Sequence, residues 1–249
     1  MPREVVWVTG ASAGIGKAIV EAYVADGAVV AATARPSERL EGLAQAHENV
    51  LAFPADITDA DAIRATVAAI EERLGPIDRA ILNAGTHHPV KARDFKADDL
   101  RALMETNLMG TANCLEALLP VMLERKGGQI AVVSSVAGYT GLPTSAYYGA
   151  SKSALFNLCE SLKFDTDKAG VDLRVVAPGF VRTPLTDKNE FPMPFLMEPE
   201  DAAARVVKGL KGRQFEVTFP RRFAYQLKLL RCLPYWLYFP LVARSTKTR

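Results

Sequence analysis

Cysteine and histidine are scarce in this chain, and neither is spaced to build a metal site. The three cysteines are far apart, and no Cys-x-x-Cys pair occurs among them: Cys114, Cys159 and Cys232. An odd number of separated cysteines argues against a disulfide framework and against a cysteine-built metal centre. His47 and the adjacent pair His87 and His88 also lack metal-ligand spacing. We therefore predict no metal, with a substrate contact by His87 or His88 as a minor alternative.

Two kinds of hydrophobic segment are also missing. Residues 1–4 lead directly into an apolar stretch, without the cationic segment, apolar run and small-residue cleavage site of a signal peptide. The aromatic stretch Leu233–Val242 is interrupted by two prolines, and it is shorter than the roughly 20 residues that span a bilayer. The expectation is a cytoplasmic protein, with contact at a membrane surface left open for the C-terminal segment.

Acidic residues are absent from the last part of the sequence. Residues 221–249 contain seven basic residues and no acid, whereas the whole chain has a net charge of +2, so the remainder sums to −5. A mildly acidic body therefore carries a strongly basic tail. The 249 residues, of which 49% are hydrophobic, suit one large domain with a substantial core.

Short apolar runs alternate with longer helical patterns along the chain. The predicted strands are Val5–Thr9, Ala28–Thr33, Val50–Pro54, Arg79–Leu82, Gln129–Ser134, Asp172–Ala177 and Gln214–Phe219. The clearest helical patterns cover residues 15–25, 59–73, 98–125, 147–168 and 199–211. Runs that are apolar on both faces are typical of parallel strands covered by helices. We predict one α/β domain over residues 1–220, with a doubly wound Rossmann-type sheet of about seven parallel strands and helices on both faces. Residues 221–249 form a basic, aromatic-rich extension.

A proline-rich stretch separates the last strands. Thr183–Pro199 contains four prolines and little periodicity. Long loops in compact domains are often functional, so this segment is a candidate substrate lid.

A glycine-rich turn follows the first strand and opens the first helix. Its sequence is Thr9-Gly10-Ala11-Ser12-Ala13-Gly14-Ile15-Gly16. Glycines allow a tight turn and a close approach of phosphate, and the helix N-terminus offers unpaired N–H groups. The turn therefore predicts a dinucleotide site, although such a turn can also be purely structural.

The end of the second strand indicates which dinucleotide is bound. An acid there would accept hydrogen bonds from the ribose hydroxyls of NAD, but the residues are Thr33, Ala34 and Arg35. Arg35 could instead contact the 2′-phosphate of NADP. We predict NADP (NADPH) as cofactor, with NAD less favoured, while Arg35 as a solvated turn residue is the alternative.

Later in the sequence, a set of three residues indicates a proton-transfer chemistry. Tyr148 and Lys152 lie four positions apart in a helical segment, and Ser135 follows a strand thirteen positions before the tyrosine. A nearby ammonium favours the phenolate and lowers the tyrosine pKa, so Tyr148 could exchange a proton with a carbonyl or alcohol oxygen. Ser135 could hold the same oxygen. Each element alone has a structural explanation; Tyr147 or Tyr139 could equally well pack in the core.

Together these residues resemble the short-chain dehydrogenase/reductase family over roughly residues 4–185. The matching segments are Thr9–Gly16, Ala55-Asp56-Ile57, Asn83-Ala84-Gly85, Thr106-Asn107-Leu108, the Ser135, Tyr148 and Lys152 spacing, and Pro178-Gly179-Phe180-Val181-Arg182-Thr183. One departure is Leu82, which stands where the family has the first asparagine of Asn-Asn-Ala-Gly.

The resemblance implies a role for each matching segment. It implies a catalytic tetrad of Asn107, Ser135, Tyr148 and Lys152, in which Asn107 anchors a water through its backbone. The implied cofactor contacts are Thr9, Gly10, Ser12, Ala13, Gly14, Ile15, Gly16, Arg35, Asp56, Ile57, Asn83, Ala84, Gly85, Tyr148, Lys152, Pro178, Gly179, Val181 and Thr183. Of these, Asp56 is near the adenine and Lys152 on the nicotinamide ribose. Members of this family serve many substrates and are usually dimers or tetramers, so a homo-oligomer is expected and the substrate is not implied.

The C-terminal extension allows three interpretations. Phe223, Leu227 and Leu230 fall at helical spacing, and basic residues flank them. The extension could cover the substrate cleft as a lid, pack in an oligomer, or bind a membrane interface. Lid or oligomer packing is slightly favoured over membrane contact. Nucleic acid is not expected as a partner, since no binding module is present.

The sequence thus predicts an NADP-dependent oxidoreductase that interconverts a carbonyl and an alcohol on an apolar small molecule. The alternatives are a non-catalytic NADP-binding sensor or scaffold that acts through its tail, and a membrane-peripheral reductase of lipid-like substrates.

Overall fold

The computed structural model describes residues 3–188 and 193–246, and its centre is one parallel sheet. Seven strands run in the order β3-β2-β1-β4-β5-β6-β7. They are β1 (Val5–Thr9), β2 (Val29–Thr33), β3 (Val50–Ala52), β4 (Arg79–Leu82), β5 (Gln129–Val133), β6 (Asp172–Pro178) and β7 (Glu216–Phe219). The winding direction reverses between β1 and β4. The carboxyl ends of these two strands therefore open the crevice in which such sheets bind ligands.

Helices cover both faces of the sheet. They are α1 (Gly14–Ala25), α2 (Glu38–Ala46), α3 (Ala60–Leu74), α4 (Ala97–Met104), α5 (Gly110–Glu124), α6 (Ala146–Lys168), α7 (Pro199–Leu210), α8 (Arg221–Arg231) and α9 (Tyr235–Ser245). One apolar cluster joins the sheet to α1, α2 and α7, and a second joins it to α3, α5 and α6. Neighbouring strand residues alternate between them: Val6 and Val8 belong to the first cluster, and Trp7 to the second. The predicted doubly wound α/β fold is confirmed.

The main difference from the predicted elements lies in the helix expected over residues 98–125. A π-helical turn, Glu105–Met109, separates α4 from α5. Asn107 lies within this turn with its side chain fully buried. Such turns are frequent at functional sites, and the hydrophobic period does not reveal them because apolar residues continue on both sides.

Two other elements also differ from the predicted ones. Helix α2, which was not among the clear helical patterns, begins after Ser37, whose hydroxyl accepts a hydrogen bond from the N–H of Leu40. Strand β3 is shorter than predicted and ends at Ala52.

The predicted loop Thr183–Pro199 is fastened at both ends. Val181 pairs with Met197 in an isolated bridge, and Arg182 forms an ion pair with Glu198 at 2.9 Å. A 3₁₀ turn covers Thr186–Lys188, and residues 189–192 lie outside the described residues. Its role as a lid stays a prediction.

The C-terminal extension forms two helices, and the first packs on the body. Ala224 and Leu227 of α8 are buried with Val136, Tyr139 and Ala177. Over residues 3–188 and 193–246, no helix is long and apolar enough to cross a membrane.

Candidate active site

The glycine turn brings backbone atoms together more closely than side chains would permit. Gly10 has a φ of +66°, and a Cβ there would lie 2.8 Å from the Cα of Ala84. A Cβ on Gly16 would lie only 2.1 Å from the carbonyl oxygen of Gly10. Glycine at position 10 lets the end of β1 approach Ala84, and glycine at position 16 lets α1 start directly against Gly10.

The first turn of α1 is open to an anion. Its N-cap is Ala13, which has no side chain that could accept from the first N–H groups, and the first turn contains no acid. A helix N-terminus in this state attracts phosphate through its N–H groups and its dipole.

Asn83 and Thr9 hold the two strand ends of the crevice in register. The Asn83 side chain donates to the carbonyl oxygen of Thr9 at 3.1 Å. The Thr9 hydroxyl accepts from the N–H groups of Asn83 at 3.0 Å and Ala84 at 3.2 Å. Thr9 is buried, so its side chain braces the crevice, and its predicted contact with a cofactor stays a prediction.

A cleft of about 1090 Å³ runs along the carboxyl end of the sheet. Most of the predicted cofactor residues line it: Gly10, Ser12, Ala13, Gly14, Ile15, Gly16, Arg35, Asp56, Ile57, Asn83, Ala84, Gly85 and Thr183. Residues that sequence reasoning missed also line it, among them Ser37, Glu38, Arg39, Thr86, Thr106 and Leu185. The structure therefore brings segments from six separate parts of the sequence to one surface.

Two arginines and two carboxylates, Glu38 and Asp56, set the charge at the β2 and β3 end of this cleft. Arg35 and Arg39 both line it. The backbone N–H of Thr58, at 3.0 Å, lowers the pKa of Asp56 most strongly; the Thr58 hydroxyl and the Arg35 guanidinium also lower it, against partial burial. A signal for Arg39 existed in the sequence, since Ser37 is a typical N-cap and places Arg39 in the first turn of α2.

The cleft continues into a recess of about 90 Å³ at the ends of β5 and β6. Ser135, Tyr148 and Lys152 line this recess together, and the predicted Pro178, Gly179, Val181 and Thr183 complete its wall. Ile15, Asn83, Gly85 and Thr183 line both spaces. A dinucleotide in the cleft could thus extend one end to the side chains of the triplet.

Neighbouring tyrosine and serine residues use their hydroxyl groups in structural hydrogen bonds instead. The Tyr147 hydroxyl is hydrogen-bonded to both the backbone N–H and the carbonyl oxygen of Lys96. The Tyr139 hydroxyl contacts Glu216 and Thr218. The Ser134 hydroxyl donates to the carbonyl oxygen of Lys152 at 2.8 Å. These contacts favour the choice of Tyr148 and Ser135 for the recess.

The ionisable groups of the recess are tuned by burial. Burial raises the pKa of Tyr148, and a hydrogen bond with Ser135 opposes that rise. Burial lowers the pKa of Lys152 to about 8. The lysine Nζ donates to the carbonyl oxygen of Val133 at 2.9 Å and lies 5.6 Å from the centre of the Tyr148 ring.

The expected lowering of the Tyr148 pKa is therefore not found in this structure. The shift has the opposite direction because desolvation of the phenol dominates. The Lys152 ammonium is directed to the Val133 carbonyl oxygen. In the ligand-free protein, Tyr148 consequently holds its proton at neutral pH.

Asn107 links the π-helical turn to the triplet. Its amide donates to the carbonyl oxygen of Thr86 at 2.9 Å and to the Ser151 hydroxyl at 3.0 Å, and its Oδ1 accepts from the N–H of Thr86 at 2.7 Å. Ser151 in turn donates to the carbonyl oxygen of Tyr148. Asn107 thus fixes the helical turn that carries the tyrosine, and Ser151 had no signal in the sequence.

Aromatic rings lie next to two residues that line the recess, Tyr148 and Gly179. The His87 ring meets the Tyr148 ring edge-on, with centroids 4.8 Å apart. Phe223 of α8 packs 5.6 Å from Phe180 and 6.1 Å from Phe195, measured between ring centroids. The extension therefore contributes to the apolar surroundings of the site.

The arrangement matches that of a known family. A sequence profile described as short chain dehydrogenase matches residues 4–192. The chain belongs to the short-chain dehydrogenase family.

Individual members of the family agree with this assignment. An uncharacterized oxidoreductase of Myxococcus xanthus is 37% identical over 231 residues, which cover 91% of each chain. One of Staphylococcus epidermidis is 32% identical over 209 residues, covering 84% of this chain and 91% of the relative. A short-chain dehydrogenase from Streptomyces avermitilis, solved as a crystal structure, superposes with a TM-score of 0.83 at 29% identity, covering 91% of this chain and 92% of that one. The predicted resemblance is confirmed, and the chain is an oxidoreductase of this family.

Short-chain dehydrogenases generally bind a nicotinamide dinucleotide, and the residues present here fit one. The glycine turn lines the cleft, and its glycines let the start of α1 lie directly against Gly10. The uncapped first turn of α1 offers N–H groups to it. Asp56 keeps its charge at neutral pH, since its pKa is lowered.

Proposed function

We propose that this short-chain dehydrogenase is an NADP(H)-dependent oxidoreductase that interconverts a ketone or aldehyde with an alcohol on an apolar small molecule. The observation that carries the proposal is the recess itself. Ser135, Tyr148 and Lys152 line one small space that opens into a dinucleotide-sized cleft.

Tyr148 is the proton donor in the reduction direction. Its raised pKa keeps the phenol protonated at neutral pH, so the Oη can pass a proton to a carbonyl oxygen as that oxygen gains charge. Ser135 supports the same oxygen through its hydroxyl. When bound, a nicotinamide cofactor would provide the hydride for this reduction and would take it up in the reverse direction.

Lys152 and Asn107 position the donor. The Lys152 Nζ donates to the Val133 carbonyl oxygen and lies near Gly85, which lines both the recess and the cleft. From this position it could donate to a ribose hydroxyl of the cofactor. Asn107 fixes the α6 turn through Ser151. Both residues act on geometry and charge around the Tyr148 hydroxyl.

The preference for NADP rests on charge at the β2 end of the cleft. Arg35 and Arg39 line the end of the cleft where the adenosine ribose would lie, together with the carboxylates of Glu38 and Asp56. A 2′-phosphate would gain charge-assisted hydrogen bonds from two guanidiniums.

The cofactor preference is tested by comparing NADPH with NADH as reductant. Arg35→Ala and Arg39→Ala should each lower kcat/KM for NADPH by about 10- to 100-fold, since a hydrogen bond to a charged group contributes about 1.5–3 kcal/mol, and leave NADH nearly unchanged. Arg205→Ala removes an exposed arginine on α7 and serves as control. An equal loss with both cofactors would contradict the NADP assignment.

The chemistry is tested by turnover on ketones and aldehydes graded by apolar size. Tyr148→Phe should reduce kcat by about 10²- to 10⁴-fold and leave the dissociation constant of NADPH within a few-fold. Tyr225→Phe, which alters an exposed phenol, should behave as the parent. Normal turnover by Tyr148→Phe would refute the mechanism; cofactor binding without turnover by the parent on any compound would favour a sensor.

A further inference from the structure

The outer face of α9 exposes three large aromatic side chains side by side. Tyr235 and Trp236 are each 75% exposed and Phe239 is 61% exposed. Tyr235 and Phe239 stack with ring centroids 5.6 Å apart. This apolar face is too large for chance exposure of single residues.

The opposite face of α9 fixes the helix on the body. Tyr238 and Val242 are buried. The Tyr238 hydroxyl accepts a hydrogen bond from the Thr140 hydroxyl at 3.0 Å and donates to the carbonyl oxygen of Gly141. Because the inner face of α9 is already packed against the body and hydrogen-bonded to it, the outer aromatic side chains do not form the inner surface of a lid. They are instead a surface that can contact another molecule.

The sequence on both sides of these rings contains basic residues and no acidic ones. Arg231 precedes α9 and Arg244 lies in its last turn, and both are exposed. Among residues 3–188 and 193–246, neither arginine has a carboxylate within 4.0 Å. Residues 221–249 carry seven basic residues and no acid. The segment that carries the rings is therefore basic in sequence.

We propose that the outer face of α9 binds the surface of a bilayer that contains anionic lipid. Aromatic rings are favoured at headgroup depth, and arginines beside them meet the anionic headgroups. A second copy of the chain fits less well, because a symmetric contact through this face would bring two such basic segments together. The helix would lie in the interface, since it is too short to span a bilayer.

Thr140 and Gly141 lie between Ser135 and Tyr148 in the sequence, so the surface adjoins the segment that carries the candidate site. Vesicle binding is nevertheless measured without turnover. Its outcome is thus independent of the proposed reaction.

The chain contains its own probe for this contact. Of the two tryptophans, Trp7 is fully buried and donates to the Thr33 hydroxyl at 2.9 Å, whereas Trp236 lies on the proposed surface. Vesicles of phosphatidylcholine with phosphatidylserine should shift the emission of the full chain to the blue and pellet it, and brominated lipid should quench it. Pure phosphatidylcholine should do so much less. Trp236→Phe should still pellet but lose the spectral shift.

Double variants separate the rings from the charges. Trp236→Ala with Phe239→Ala should weaken binding about 100-fold, since burial of each ring contributes about tenfold or more. Arg231→Gln with Arg244→Gln should weaken it roughly 25-fold, at about fivefold per arginine, and more so at low salt. The matched controls are Phe164→Ala, which removes a ring 72% exposed on α6, and Arg205→Gln with Arg213→Gln.

Three outcomes would overturn the proposal. One is a parent chain that does not bind phosphatidylserine vesicles. Another is binding that the ring variant leaves unchanged. The third is a parent oligomer, seen by light scattering without vesicles, that the ring variant converts to smaller species, which would show that a second copy covers the face.

Discussion

Replacing Lys152 by methionine should stabilise the ligand-free protein at neutral pH, and this advantage should vanish as the pH rises. Lys152 is 3% exposed, and burial lowers its pKa from 10.5 to about 8. Below pH 8 the folded protein must hold a charged ammonium in a desolvated site. The unfolded chain keeps the same charge in water, so the charged form costs the folded state about 3 kcal/mol.

The sign of the pH dependence follows from proton counts. Between about pH 8 and 10.5 the unfolded chain binds more protons at this residue than the folded protein, so the stability of the parent rises with pH. The parent should gain about 2.5 kcal/mol relative to Lys152→Met between pH 7 and pH 10. Tyr148, whose pKa is raised, begins to lose its proton in the unfolded chain near pH 10, but this contribution is common to both proteins and cancels from their difference.

The variant also loses one favourable contact. The carbonyl oxygen of Val133 would no longer accept from Nζ, which costs about 1 kcal/mol at any pH. The net advantage of Lys152→Met should therefore be about 2 kcal/mol at pH 7 and close to zero or reversed at pH 10. Reaction rates do not enter this comparison, although turnover should be lost.

Urea unfolding at a series of pH values measures both proteins. Lys168→Met, which alters an exposed lysine of the same helix, should show a difference from the parent that hardly changes with pH. A difference for Lys152→Met that is constant within about 0.5 kcal/mol from pH 7 to pH 10 would refute the reasoning, because it would mean that folding does not shift the pKa of Lys152.

Two further substitutions test the scaffold of the site. Gly16→Ala places a Cβ 2.1 Å from the Gly10 carbonyl oxygen and should weaken NADPH binding at least about tenfold, because the turn must move by more than the tolerance of a hydrogen bond. Gly42→Ala, whose Cβ meets nothing within 4 Å, is the control. Equal NADPH affinities of the two variants in fluorescence titrations would contradict a role of the glycine turn in binding the cofactor. Asn107→Ala should lower the free energy of unfolding by about 2 kcal/mol or more, because it removes three hydrogen bonds of a fully buried side chain, two of them to partly buried backbone groups of Thr86. A loss below about 0.5 kcal/mol in urea unfolding would contradict this.

The strands of the sheet could be predicted from the sequence because each is a short, continuous apolar run. Runs such as Val5–Thr9 and Gln129–Val133 are buried on both faces, and in a parallel sheet this produces continuous apolar stretches between helical patterns. The first β–α unit adds glycines whose positions are dictated by backbone clashes. The winding order then follows from a small set of allowed topologies.

The parts that could not be predicted depend on contacts between distant segments. The π-helical turn at Asn107 depends on hydrogen bonds to Thr86 and Ser151, 21 and 44 residues away. The direction of the Tyr148 pKa depends on how fully the fold buries the phenol. The spacing of Tyr148 and Lys152 predicts proximity, but it cannot predict that the Val133 carbonyl oxygen holds the ammonium.

The extension and the site form one packed unit, which decides how either can be perturbed. Lys228 of α8 contacts the Glu216 carboxylate, and its Nζ lies 5.0 Å from the centre of the Tyr139 ring. Tyr139 ends the 3₁₀ turn that starts after Ser135. A truncation at residue 220 would uncover this cluster and remove the lysine partner of Glu216, so loss of activity in a truncated chain would not identify a lid. Substitutions on the outer face of α9, which leave the Tyr238 contacts intact, are the changes that can separate docking from catalysis.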